Sequence, residues 1–456
     1  MWANTVLFKR SSAMAVVLVV GTLAILPTTA TAQFLGQNRA VGGILVDPSG
    51  AVRLATAFEV DADIAKLRQR LEQAGPELNG AVELRKVSLR GLEAAIQSAL
   101  ANNQGWLPDE IRYLAGLQRI RYVLIYPDQN DIVLVGPGEG WKLDDAGNTV
   151  GITTGQPVLH LEDLLVALRT VNAARTEGIS VSIDPTAEGR QRFEQFMSRQ
   201  TTFNRGVVAG LANAMGPQKI TYTGIPEGSH FARVLMVADH RMKRLAMNFE
   251  KSPVKEIPGF LDLLKSKRRS ANSATPRWWM ACNYEPLARS EDRLAWELRG
   301  PGVKAMTEDE FVAADGTVRG TGQEDPTAKE WAERLTANYE KLAQKDPIFA
   351  ELRNLMDMCV VAALIEKEDL TGLAGGGGFP LLTAATDDLD IGKWHAPQTL
   401  ATQCSYLKIG RKYVITASGG VQIESWEVAS KSQVDEQLKA VHSKAATPSD
   451  KTWRWN

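Results

Sequence analysis

The chain has 456 residues, with 52 Lys and Arg against 53 Asp and Glu for a net charge of −1, and 44% of it is hydrophobic. That length and apolar share predict an α+β chain of two or three packed domains. The near-neutral balance excludes the basic surplus by which proteins hold nucleic acid.

The first residues read as an export signal. Lys9 and Arg10 precede an apolar run over 13–26, and Pro27 leads to the small-residue stretch Ala30-Thr31-Ala32. This order of basic start, apolar centre and small-residue end marks a secretory signal peptide, so cleavage after Ala32 is expected. The run is shorter than the ~20 apolar residues of a membrane-spanning helix. Residue 33 is Gln, not the cysteine that a lipid anchor needs. The expected address is the periplasm, cell envelope or extracellular space. No transmembrane helix is expected in the mature chain, because the best competitor, 358–365, is short and flanked by Asp357 and Glu366 like a buried helix face.

Residues 33–205 read as an N-terminal α+β domain. Ile44-Leu45-Val46 and Ala51-Val52-Arg53-Leu54 flank the turn Asp47-Pro48-Ser49-Gly50, a hairpin pattern. Helical periodicity follows over 59–74, 88–102 and 107–117, the last entered through Pro108. Strands over 121–126 and 132–135 come next, then a turn at 144–148, a helix over 161–173, a strand over 179–183 and a helix from Thr186 to about 199.

Residues 206–370 read as a middle α+β domain. A strand from Ile220 leads to a helix over 229–248 with the apolar stripe Phe231, Val234, Leu235, Ala238, Met242 and Leu245. Two strands are expected within 277–299, and two helices over 328–366 broken at Asp346-Pro347. A Gly-rich linker over 371–380, a small β meander over 381–430 and a polar, disordered tail over 431–456 complete the expected organisation.

Spacings that carry a known mechanism are missing: there is no His-Glu-x-x-His, Cys-x-x-Cys, Gly-x-Ser-x-Gly or phosphate loop ending in Gly-Lys-Ser/Thr. No cofactor is predicted. Gly136-Pro137-Gly138-Glu139-Gly140 follows a strand, but Trp141-Lys142-Leu143 continues as another strand, so it reads as a turn with no helix amides for a pyrophosphate. His230 and His240 start any metal argument. Ten residues on one helix separate them by ~15 Å, too far for one ion, so no metal site is predicted. Three cysteines, Cys282, Cys359 and Cys404, allow one disulfide with the pairing open.

The residues left as a candidate interaction surface are Asp239, His240, Arg241, Lys243 and Trp279. Asp239 and Lys243 stand at the i,i+4 spacing of a helical ion pair. Within 277–284, alternation places Trp278, Met280, Cys282 and Tyr284 on one face and Trp279, Ala281 and Asn283 on the other. If the second face is open, the Trp279 indole can stack on a sugar or a partner surface.

The chain resembles a family of exported planctomycete proteins known as domain of unknown function 1598. The segments that carry the resemblance are 43–50, Leu107-Pro108 with 111–117, 136–141, Tyr222-Thr223-Gly224-Ile225-Pro226, Ala238-Asp239-His240-Arg241-Met242-Lys243, and Glu297-Leu298 with Gly302-Val303-Lys304. The family pattern has tyrosine where this chain has His240, which speaks against a family-wide catalytic histidine there. The resemblance implies an exported protein of uncharacterised role and brings no catalytic residues. The expected function is a non-enzymatic binding or structural module with a protein or cell-wall component as partner. The alternative is a hydrolase whose site is assembled from sequence-distant residues, with Asp239, His240 or Arg241 facing the strand at 278–284.

Overall fold

The computed structural model describes residues 44–46, 51–54, 65–66, 68–102, 106–201, 205–267, 276–308, 310–312, 318–320, 325–385, 389, 394–409, 411–445 and 452–456. The expected signal segment 1–32, the turn at 47–50 and residues 59–64 and 67 of the helix expected over 59–74 lie outside these residues.

The fold is α+β, built on two mixed sheets. The larger runs, edge to edge, Ile44–Val46, Ala51–Leu54, Thr399–Leu400, Gln218–Thr223, Ile179–Asp184, Ser418–Ile423, Arg277–Asn283 and Gly302–Glu308. The smaller runs Ser432–Val434, Leu287–Arg289, Ala295–Glu297, Tyr122–Tyr126, Asp131–Gly138, Val82–Ser88 and Arg454–Trp455. Strand pairing crosses each of the boundaries expected at 205, 370 and 380. Gln218–Thr223 pairs with Ile179–Asp184, and Ser418–Ile423 lies between Ile179–Asp184 and Arg277–Asn283.

Three long helices form the centre: α1 (Leu161–Glu177), α2 (His230–Ala246) and α3 (Pro347–Lys367). The α2 helix starts where the Ser229 side chain accepts from the Ala232 N–H at 3.1 Å, a standard N-cap. Its stripe Phe231, Val234, Leu235, Ala238, Met242 and Leu245 is buried. Pro347 sits in the first turn of α3, where its missing N–H costs nothing, and Asp346 marks the expected break. Residues Met358 to Ile365 are all buried, and among the described residues no helix is long and apolar enough to cross a membrane.

One apolar core joins these helices to one face of each sheet, through Val181, Val421, Trp278 and Met280 on the larger and Val123, Ile125, Ile132 and Leu134 on the smaller. The smaller sheet's other face holds Leu124, Tyr126, Val133 and Val135, closed by Leu438 and Ala445. The stretch from 431, expected to be disordered, therefore carries a strand (Ser432–Val434), a helix (Leu438–Lys444) and a strand (Arg454–Trp455). Its few apolar residues are enough to hold it on the sheet.

Other differences have local causes. The helix expected over 107–117 stops at Arg112, because Leu114 and Ala115 take φ of 47° and 55°. The strands expected within 277–299 separate: Arg277–Asn283 joins the larger sheet, while Leu287–Arg289 and Ala295–Glu297 form a hairpin of the smaller one. The helix Arg205–Met215 and the strand Gly302–Glu308 were not foreseen.

Candidate functional site

Along Ile179–Asp184, Ile179, Val181 and Ile183 are buried while Ser180, Ser182 and Asp184 are half-buried, so this strand has a covered and an open face. Register carries the open face across the sheet. One row reads Thr221, Ser182, Gly420, Trp279, Met306, and the next reads Thr223, Ser180, Gln422, Ala281, Lys304. A third places Lys219 beside Asp184 and Arg277 beside Glu308. The open face is thus lined by hydroxyls, an amide and balanced charges, with one tryptophan in its middle.

Gly420 fixes the shape around that tryptophan. A Cβ there would meet the Val181 carbonyl at 2.1 Å and Ser182 Cα at 2.8 Å, so no larger residue fits, and the space beside the Trp279 ring stays free of a side chain. The resulting hollow measures about 390 Å³, with Gly420 as floor, Trp279 as one wall, Ser180 and Ser182 opposite, and Gln422 nearby. On its other side Trp279 borders a second, wider hollow of about 630 Å³ shared with Met306 and Glu308. Arg277 lies over the indole, 5.8 Å from its centroid.

The other sequence-predicted residues fall elsewhere. Asp239, His240 and Lys243 are buried, so they form no exposed surface. They lie on α2, which packs on the covered face, where Lys243 Nζ donates to Asp239 Oδ2 at 2.7 Å and to the carbonyls of Gly419 and Ile183 at 3.1 and 3.2 Å. The i,i+4 pair is present, but as a buried clamp between helix and sheet. Arg241 is partly exposed and pairs with Asp346 at 2.9 Å and with Glu250. Asp239 and His240 lie beneath the sheet, which separates them from Trp279.

Cys282, Cys359 and Cys404 are free thiols. Burial pushes Cys282 up to about 12 and Cys404 up to about 11, and holds Cys359 well above its ordinary value. All three stay protonated at neutral pH and lack the thiolate that nucleophilic chemistry needs. Beyond Gly136–Gly140, Trp141–Leu143 pairs with Thr149–Gly151 as a hairpin. The Thr153 and Thr154 amides both donate to Glu139 at 2.9 Å, so the chain's own carboxylate takes the anion position there.

Sequence reading missed a buried polar cluster where α1 and α2 begin. His160 precedes α1, Glu162 and Asp163 lie in its first turn, and His230 opens α2. The rings of His160 and His230 stack with centroids 4.7 Å apart, and ligand atoms of His160, Glu162 and His230 all lie within 4.8 Å of one another. His230 Nδ1 donates to Asp163 Oδ2 at 2.9 Å, and Trp394 Nε1 donates to Glu162 Oε2 at 3.2 Å. Burial pushes the Glu162 carboxyl up to about 7. For His230 burial works downward, but the adjacent Asp163 prevails and holds it up to about 9. His240 takes no part, as the helix spacing from His230 required. The sequence reading that predicts no metal site weighs only His230 with His240; His160 and Glu162 meet His230 from the start of another helix, and no sequence spacing announces it.

Residues 181–260 match a family model described as protein of unknown function (DUF1598). The match spans most of the strand Ile179–Asp184 and runs through α2, and so includes 222–226 and 238–243; the other segments of resemblance lie outside it. No curated protein and no solved structure matches the chain.

Proposed function

We propose that the protein is a non-enzymatic binding module that holds a neutral sugar chain of the cell envelope on the open face of its larger sheet. The observation that carries this reading is the Trp279 ring standing beside the Gly420 floor, with the Ser182 and Ser180 hydroxyls and the Gln422 amide lining the same hollow. A sugar ring offers an apolar face to an indole and a rim of hydroxyls to Ser180, Ser182 and Gln422, and it needs no net charge from the protein. The paired charges of Arg277 and Glu308 match an uncharged ligand better than a phosphate or a nucleic acid. Placement in the envelope is supported by the signal-like order of Lys9, Arg10, the apolar run over 13–26 and Ala30-Thr31-Ala32.

The test is co-sedimentation of the chain starting at Gln33 with insoluble peptidoglycan, chitin and cellulose, beside Trp279→Ala. The reading expects saturable retention on at least one glycan and its loss in the variant at unchanged thermal stability. No retention of the wild type, or equal retention of both, contradicts it.

A further inference from the structure

We infer that His160, Glu162 and His230 form a binding site for one divalent transition-metal cation of the zinc type, a structural centre that ties the starts of α1 and α2 together. The donor set is two imidazoles and one carboxylate, which suits zinc and its neighbours better than magnesium or calcium. Donors around one such ion stand roughly 3–4 Å apart. The three residues hold theirs within 4.8 Å, so small side-chain rotations close the site.

The surrounding contacts are those that metal ligands need. A ligating histidine usually gives its second ring N–H to a carboxylate, which fixes the ring and its tautomer. Asp163 does this for His230 at Nδ1, leaving Nε2 as the nitrogen for an ion. Trp394 Nε1 holds one oxygen of Glu162 and leaves the other.

Charge points the same way. Glu162 and Asp163 are two carboxylates in a buried space, and Glu351 adds its field at His230. The nearby cations are already engaged: Arg112 holds Asp109 at 2.8 Å, and Arg233 donates to the His395 carbonyl at 3.0 Å and covers Trp394. A dication at the three donors neutralises Glu162 and Asp163 together, with His230 binding through a deprotonated Nε2 while its Nδ1 proton stays on the ring, donated to Asp163. His160, Glu162 and His230 are each under a tenth exposed, so loading accompanies folding. The inference shares no residue with the Trp279 surface and stands or falls without it.

The experiment strips the chain from Gln33 with a chelator in denaturant and refolds it with Co²⁺, then in parallel with Zn²⁺. The expected result is visible d–d absorption that saturates at one equivalent of Co²⁺, and a melting temperature raised by Zn²⁺. Glu162→Gln and His160→Gln lose both signals, while Asp163→Asn keeps the three donors and binds about 10–100-fold more weakly. A wild-type titration without saturable absorption and without a zinc-dependent rise overturns the inference, and so does Glu162→Gln binding Co²⁺ as tightly as wild type. The wild-type titration decides by itself where a variant does not fold.

Discussion

Trp278 and Trp279 are chain neighbours that the larger sheet sends to opposite sides. Trp278 is fully buried, with its ring 5.1 Å from those of Phe260 and Trp331 and its Nε1 donating to the Ala328 carbonyl at 3.3 Å. Trp279 stands half-buried over the hollow floored by Gly420. Trp278→Ala is therefore expected to cost ~3–5 kcal/mol of stability through the cavity it leaves. Trp279→Ala is expected to change stability by less than ~1 kcal/mol. Urea unfolding of the two variants checks the difference, and equal losses would mean that Trp279 is also a core residue.

Asp239 and Lys243 join α2 to two strands through a pair that water does not reach, and burial pushes Asp239 up to about 6 even beside the lysine. Asp239 Oδ1 has no hydrogen-bond partner, so the pair is incompletely compensated. Removing one charge leaves the other buried alone, and Asp239→Ala is expected to cost ~3–5 kcal/mol. The double variant Asp239→Leu, Lys243→Met should cost clearly less than the single one. Denaturation midpoints of the two proteins measure this, and a double variant weaker than Asp239→Ala would show that the pair contributes net stability.

His240 gives the fold a predictable acid limit. Burial, helped by the repulsion of Arg244, Lys243 and Arg241, pushes its pKa down to about 3. The unfolded chain takes up that proton near pH ~6.5 while the folded chain resists it. The stability from His240 is therefore complete above pH ~6.5 and is lost as the pH falls toward about 3, by ~2 kcal/mol at pH 5. His240→Leu should flatten this part of the profile. Unfolding free energies at pH 7.5 and pH 5 for both proteins test it, and an unchanged slope in the variant refutes the assignment.

The core and the two faces of the 277–283 strand were legible in sequence because they rest on local periodicity. Alternation alone sent Trp278 and Trp279 apart, and the 3.6-residue stripe of α2 and the break at Asp346-Pro347 are equally local signals. Burial of Asp239 and Lys243 was not legible, because i,i+4 spacing reads the same on a wet face as beneath a sheet. Nor was the meeting of His160, Glu162 and His230, which depends on two helices starting side by side. The tail was misread for a related reason: Leu438 and Ala445 are too few to suggest a core until the smaller sheet supplies the other half.

Asp357 in α3 holds Tyr284 and Arg119 together, accepting from the tyrosine OH at 2.6 Å and from Arg119 Nε at 2.9 Å while wholly buried. Arg119 also donates to the Gly300 carbonyl at 3.1 Å, which adds a fourth point of the chain to the cluster. Asp357→Ala is expected to cost ~3–5 kcal/mol by stranding a buried guanidinium. Tyr284→Phe removes one charge-assisted hydrogen bond and should cost ~1.5–3 kcal/mol. A double-mutant cycle in thermal unfolding tests the coupling, and additive effects would show that the two side chains act independently.

The most direct test of the binding reading is the dissociation constant of the chain from Gln33 for the glycan that retains it, measured beside Trp279→Ala, Trp279→Tyr and the control Trp106→Ala. Trp106 is also exposed but lies off the sheet. A binding site centred on the Trp279 ring predicts a loss of ~30-fold for Trp279→Ala, a smaller loss for Trp279→Tyr and none for Trp106→Ala. Equal affinity of Trp279→Ala and wild type would contradict it.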